Sequence, residues 1–350
     1  MIRIEERREQ SLLVKITTKI VAVLLALGIS AVIFMGYGIN PIYAFSVMFS
    51  KSLTSYGLSE VVTKFIPLEL CGLGLIVAFK SGMWNIGAEG QLLMGAVMAT
   101  WVALFIDVPD FSRLPLILIL SMVGGLAWAI IPAFLKVKLE VNEVMVTLMM
   151  NYIASFLVNY LVYGPWKGAK EWGFPYTDKF PESAWLPTIP NTRIHWPTLI
   201  IASVAVFTMF LIMFKTTLGF EMRVCGQSKR VAEYSGMNYA KALIVSMAIS
   251  GALAGLAGAG EVCGIHHRLR YASAISSGYG YSGIIVAWLS GLHPAASPLS
   301  AFFIAFLLTG GDILQVSFGL SSGVVNVFNG VILSSLLISE LFGRYRLRWK

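Results

Sequence analysis

Charge is what this 350-residue sequence is shortest of. Asp, Glu, Lys and Arg make up 13% of it, against roughly 25% in an ordinary soluble domain. Hydrophobic residues take up the difference at 57%, and mean hydropathy is +0.76. A water-facing globular domain is excluded; the chain is a polytopic membrane protein. Cysteine is scarce as well. Cys71, Cys225 and Cys263 are odd in number, lie in or near apolar runs, and support neither a disulfide framework nor a zinc spacing. No GxxxxGK[ST] phosphate loop occurs, so ATP is not bound by that route. The literal GxGxxG at Gly278, Gly280 and Gly283 follows no strand and opens no βαβ unit, which removes a dinucleotide site. His266 and His267 are adjacent, cannot point one way, and have no carboxylate at ligand spacing, so no metal site is expected. The net charge of +8 does not point to nucleic acid, because the basic residues lie in short segments between apolar runs.

What the sequence does have is apolar runs long enough to cross a bilayer. With about 20 apolar residues per crossing, the chain reads as one all-α domain over 1–350 with about ten transmembrane helices. A charged cytoplasmic head, 1–15, holds Arg3, Glu5, Glu6, Arg7 and Arg8. No small-residue cleavage site follows the first apolar run, so that run is expected to be retained as a helix. Crossings are expected at Ile16 to Gly36, from Val61 to before Lys80, from the next segment to Ile106, at Leu114 to Leu135, and at Val144 to Tyr163. Pro67, Gly72 and Gly74 are expected to loosen the second. A polar outer loop, 165–196, is rich in Pro and Trp. The sixth crossing is Pro197 to Phe214, the seventh Ala242 to Gly260, and the last three begin near Tyr279, Pro298 and Val324. Alternating these from a cytoplasmic N-terminus puts 17 of the 26 Lys and Arg residues in cytoplasmic segments. That bias supports both termini in the cytoplasm.

One stretch organises the rest: SGMWNIGAEGQLLMGA, Ser81 to Ala96. It places Asn85, Glu89 and Gln91 among small residues between two apolar runs. An ionisable group at membrane depth is costly and marks function by default, although polar glue between helices accounts for the same residues. Glu69, two residues after Pro67, is a second buried carboxylate candidate that could accept hydrogen bonds from a polyhydroxylated or amine-bearing solute. Thr147, Asn151 and Ser155 recur at steps of four, hence on one helix face. Asn326 and Asn329 form a shorter stripe in the last crossing. Such stripes face a pore or a neighbouring helix. The segments WNIGAEGQLLMGAVMA and YGYSGIIVAWLSGLHP each carry an aromatic residue, a Gly pair and an apolar run. In the alternating topology they open corresponding parts of two inverted repeats, an arrangement that points to a midplane transport site. Gly251 and Gly255, then Gly260 and Gly264, keep small-xxx-small spacing, a packing signal.

The connector from Lys215 to Lys241 is different in kind. It is long and charged, and its run SKRVAEYSGMN is compatible with a short helix that could dock into a groove on a soluble partner. A solvated linker is the plainer alternative.

At these residues the chain resembles the permease subunits of bacterial ABC importers for simple sugars and nucleosides. NIGAEGQ, NEVMVTLMMNYIA, CGQSKRVAEYSGMN and SGALAGLAGAGEV look like that family's signature segments, in order and across nearly the whole chain. The match is nearest the branch paired with basic-membrane-protein-type receptors, associated with purine nucleosides. The ribose-type branch tends to carry a GGIDLS-like sequence where this chain has SGMWNIGAEGQ. Glu69 and Cys71 depart from the apolar and hydroxyl residues that the resemblance leads one to expect after the proline, which leaves the exact substrate open. The resemblance implies a type II importer permease in the bacterial inner or plasma membrane, working by alternating access and not itself an enzyme. Its substrate pathway would involve Asn85, Glu89, Gln91, Glu69, Thr147, Asn151, Asn326 and Asn329. Its partners would be a second, related permease subunit, a separate ABC ATPase that binds the ATP, and an extracytoplasmic substrate-binding lipoprotein. Arg230, Glu233, Tyr234, Ser235, Gly236 and Met237 would form the helix coupled to the ATPase. Trp166, Trp172, Trp185 and Trp196 would lie where the binding protein docks, or form an interfacial aromatic belt. Import of a nucleoside is the reading, with a ribose-like sugar as the alternative. An ion-coupled secondary transporter would share the repeats without needing the connector, and a scaffold or receptor would need no polar stripe.

Overall fold

The computed structural model describes residues 2–6, 12–169 and 173–349. Arg7 and Arg8 of the charged head and Trp172 of the outer loop lie outside them. The helices in order are α1 (Leu12–Gly36), α2 (Pro41–Ser52), α3 (Ser55–Lys80), α4 (Ala88–Phe105), α5 (Asp110–Leu139), α6 (Glu143–Tyr163), α7 (Trp196–Lys215), α8 (Thr217–Gln227), α9 (Lys229–Tyr234), α10 (Tyr239–Gly260), α11 (Ala272–Ile275), α12 (Tyr279–Leu289), α13 (Ser297–Phe318) and α14 (Ser322–Arg344). A π-helical turn, Glu261–His266, extends α10. Two terminal strands, β1 (Ile2–Glu6) and β2 (Tyr345–Trp349), pair antiparallel and are an exception to an all-α fold.

Local chemistry sets several of these boundaries. The side chains of Asn40, Asn142, Thr216, Ser228 and Asn238 accept backbone N–H bonds at the starts of α2, α6, α8, α9 and α10, as capping predicts for Asn, Ser and Thr. Pro41 then occupies the first turn of α2, where its missing donor costs nothing. Within α3, however, Pro67 interrupts nothing, and the helix runs unbroken for 26 residues. Gly72 and Gly74 do not loosen it either. They are points of close approach: a Cβ on Gly72 would meet the Val286 side chain at 2.6 Å, and one on Gly74 the Ser250 backbone at 2.9 Å.

Seven helices among the described residues are long and apolar enough to cross a membrane. Leu24–Gly36 and Pro41–Ser52 pass only as a pair bent by 115°, which makes eight. The structure therefore does not supply the ten full-length crossings that composition suggests. The eighth expected crossing is α12, with 11 residues. At 1.5 Å per residue that is about 16 Å, roughly half the hydrocarbon thickness. The apolar part of the tenth is also short, Ser322–Leu336.

The chain divides into two compact units, 62–302 and a unit of 1–61 with 303–350. In the first, α4, α5 and α10 pack against one another. Their contacts are backbone on backbone. A Cβ added to Gly95 would fall on Gly255, one on Gly258 on the Leu92 carbonyl, and one on Gly251 on Gly125. The small-residue stripe of α10 is thus used along its length. Gly255→Val is expected to destabilise the protein by about 3 kcal/mol through overpacking, seen as a lower melting temperature and less monodisperse protein after solubilisation. An unchanged melting temperature would contradict this contact. In the other unit α1 packs along α14, with Phe34 between Phe45 and Phe328 at 5.6 and 5.7 Å, and Lys51 donates to Ser317 at 2.9 Å.

Candidate functional site

Between α3 and α4 the chain leaves helical geometry for residues 81–87. The link joins two helices that are each long and apolar enough to cross a membrane, and its buried backbone groups need partners within the protein. Here side chains satisfy them. Asn85 Oδ1 accepts from Gly87 N at 2.8 Å. Thr147 Oγ1 accepts from Ile86 N at 3.2 Å and donates to the Glu143 carbonyl at 2.7 Å. Asn151 Oδ1 accepts from Gly90 N, and its Nδ2 donates to the Ile86 carbonyl, both at 2.8 Å. Asn85 and Gln91 also exchange amide hydrogen bonds, each 3.1 Å, across one turn. All four residues are buried, Asn85 and Thr147 completely. The stripe at 147 and 151 and the polar residues at 85 and 91 are therefore one clamp on the link between α3 and α4.

Glu89 stands in the first turn of α4, and its Oε2 accepts from Gly280 N at 2.9 Å. Ser276 and Gly278 face the same carboxylate. Gly280 begins α12 and has no room for a side chain, since a Cβ there would fall on the Glu89 backbone. The two glycine-led segments paired by internal similarity in the sequence thus touch, joined by a buried carboxylate.

Glu69 lies elsewhere in the same unit. Its Oε1 accepts from Ser297 Oγ at 2.5 Å, and its Oε2 is buried without a hydrogen-bond partner. Asn326 and Asn329 belong to the other unit. Asn326 is exposed, while Asn329 is half-buried with its Oδ1 beside Gly311.

Sequence reasoning missed two partners of the clamp. Ser250 on α10 accepts from Asn85 Nδ2 at 3.0 Å, and Tyr281 on α12 accepts from Asn151 Nδ2 at 3.2 Å. The signal for both was faint: Ser250 opens the glycine stripe, and Tyr281 lies in the segment matched to NIGAEGQ.

The connector contains two helices, α8 and α9. Arg230, Val231, Glu233, Tyr234, Ser235 and Gly236 are exposed, with Tyr234 at 96%, and Met237 is half-buried. Lys229 pairs with Glu140 at 3.2 Å, and this carboxylate raises the pKa of the Lys229 ammonium. At the opposite end of α10, the loop at 165–196 bonds to carbonyls of the π-helical turn and of the residues that follow it. Leu186 N donates to Cys263 O at 3.0 Å, Phe180 N to His267 O at 2.9 Å, and Thr177 N to Leu269 O at 3.1 Å. Trp185 stacks on His267 at 4.1 Å, Trp166 packs on Phe105 at 5.1 Å, and Trp196 is exposed. His266 turns away towards Glu261, 4.0 Å off. His195 is buried against Gly264 and bonds Thr198, and burial lowers its pKa to about 4.

Residues 57–339 match the family model described as branched-chain amino acid transport system / permease component. A glucose ABC transporter permease protein of Haloferax volcanii is 35% identical, over 94% of this chain and 89% of the relative. A guanosine ABC transporter permease protein of Bacillus subtilis is 34% identical, over 93% and 95%. A nucleoside ABC transporter permease protein of Lactococcus lactis is 30% identical, over 91% and 90%. No solved structure matches.

Proposed function

The chain belongs to the branched-chain amino acid transport system / permease component family, and from that premise we propose that it forms the membrane pathway of an ABC importer for nucleosides. The observation that carries the solute class is the alignment with the guanosine and nucleoside permeases of Bacillus subtilis and Lactococcus lactis over more than nine-tenths of this chain. A purine nucleoside is the preferred cargo. A simple sugar is the second reading, favoured by the similarly close glucose permease of Haloferax volcanii.

A separate ATPase supplies the energy. Support comes from α9, where Val231 and Tyr234 are exposed about one turn apart. An aromatic anchor beside an aliphatic one is what a helix presents to a groove on a partner. Arg230, Glu233, Ser235, Gly236 and Met237 frame that tip and make up the rest of the coupling surface. In this reading the connector and both termini are cytoplasmic; the pairing of β1 with β2 brings the two chain ends together and so agrees with a shared compartment. A second permease subunit completes the pathway, and an extracytoplasmic binding lipoprotein delivers solute to the loop at 165–196. Asn85, Gln91, Thr147 and Asn151 shape the pathway by holding the link between α3 and α4, and Glu89 joins α4 to α12. Glu69, with one carboxylate oxygen unpartnered, Asn326 and Asn329 complete the set of proposed pathway residues.

Uptake of labelled guanosine by cells expressing the complete transporter is expected to need this chain and to resist competition by excess ribose. Ribose uptake that needs the chain would move the cargo to the second reading. Movement of neither solute would remove the nucleoside assignment.

A further inference from the structure

At one point the connector meets the link between α3 and α4 backbone to backbone. The end of α8 lies on the end of α3 so closely that a Cβ on Gly226 would fall on the Lys80 carbonyl and come within 3.0 Å of Gly82 N. A Cβ on Gly82 would in turn meet Gly226 Cα at 3.0 Å, and Gly82 has φ +81°, a conformation other residues reach only with strain. From Gly82 the path to the clamp is three residues long and stiff. Ser81 Oγ donates to the Val77 carbonyl at 2.9 Å, and Met83 N to the Ala78 carbonyl at 3.0 Å. The Met83 side chain is fully buried among Ala129, Ala133, Leu243 and Met247. Asn85, with its four clamp hydrogen bonds, follows two residues later.

A second contact runs from α9 to the corner between α5 and α6, where Lys229 meets Glu140 at 3.2 Å. That pair is exposed, and exposed pairs contribute little. Interpenetrating backbones have no soft side chain between them, so they carry displacement where a solvated ion pair does not.

We propose that Gly82 and Gly226 are the joint through which the connector moves the Asn85 clamp, making them positioning residues for coupled transport. The proposal rests on the assignment of α9 to the ATPase given above. Its first test is hydrogen exchange on the complete wild-type transporter, nucleotide-free and vanadate-trapped, which needs no variant. Exchange at residues 81–91 is expected to change together with that at 226–237. Changes confined to the connector would overturn the joint.

The second test is Gly226→Ala in proteoliposomes. Guanosine uptake should fall by about tenfold and the stimulation of ATP hydrolysis by the loaded binding protein should be lost, while basal hydrolysis stays near wild type, a split expected when coupling between sites is lost. Uptake and basal hydrolysis falling in proportion would show that Gly226 only holds the connector's shape, and no change in either would show that the contact carries nothing. The coupling assignment fails separately, if ATPase association and uptake survive when the α9 tip itself is altered.

Discussion

Transporters carrying Glu233→Arg with Gly236→Pro are expected to insert and pair with their second permease subunit yet to import solute at about 1% of the wild-type rate or less. The loss comes from two independent faults. Gly236 sits at φ +74°, whereas proline is held near −65°, so the turn after α9 cannot form. Glu233 is exposed on the same helix as Tyr234, and under the proposed coupling role reversing its charge would set repulsion against any partner group that pairs with a carboxylate. Interface anchors of this kind are worth about 2–4 kcal/mol, or roughly 30- to 1,000-fold in affinity. A Cβ added to Gly236 meets nothing within 4 Å, so the fault stays within the turn after α9 and the membrane portion has no reason to fail. Copurification with the ATPase and labelled uptake read the effect together. Unchanged uptake in a variant confirmed to be present would remove α9 from the coupling role.

The second large effect belongs to Asn85→Ala. The substitution removes four hydrogen bonds at once, to Gly87 N, to both amide atoms of Gln91, and to Ser250. The groups left behind are buried, and each unsatisfied buried group costs about 1–3 kcal/mol. A loss of about 3–5 kcal/mol of stability is expected, enough to reduce the amount of assembled transporter and stop uptake. Thermal unfolding of the solubilised protein measures the first, and uptake per assembled complex the second. Wild-type stability with only a raised half-saturating solute concentration would mean that Asn85 touches solute, and the clamp would have to be abandoned.

How much of this was legible in the sequence varied by residue. Asn85, Gln91, Thr147 and Asn151 stood out because amides and hydroxyls are rare in apolar runs, and the step of four put the last two on one face. Their purpose was not legible, because pore lining and helix clamping ask for the same side chains. Ser250 was invisible for another reason: it pairs with Asn85 across 165 residues, and no local period encodes that distance. Fewer full-length crossings are found among the described residues than hydropathy suggests, because hydropathy measures how apolar a segment is, not how far it goes. In α12 a left-handed Gly278 starts the helix late, and only 11 residues follow. Gly72 and Gly74 were misread because a glycine that breaks a helix and one that admits a neighbour look alike in one dimension. In the connector the local element was legible: SKRVAEYSGMN, compatible with a short helix, contains α9.

The glycine-to-glycine packing of α4, α5 and α10 bears on how such a molecule can change shape. Side chains in contact can switch rotamers and let two helices slide by fractions of a turn; main chains meeting directly have no such intermediate adjustment. Helices locked this way either stay together or part. The three therefore act as a keel, and any rearrangement that opens one side of the membrane and then the other has to bend the molecule at the keel's edges, where broken segments and short helices meet it.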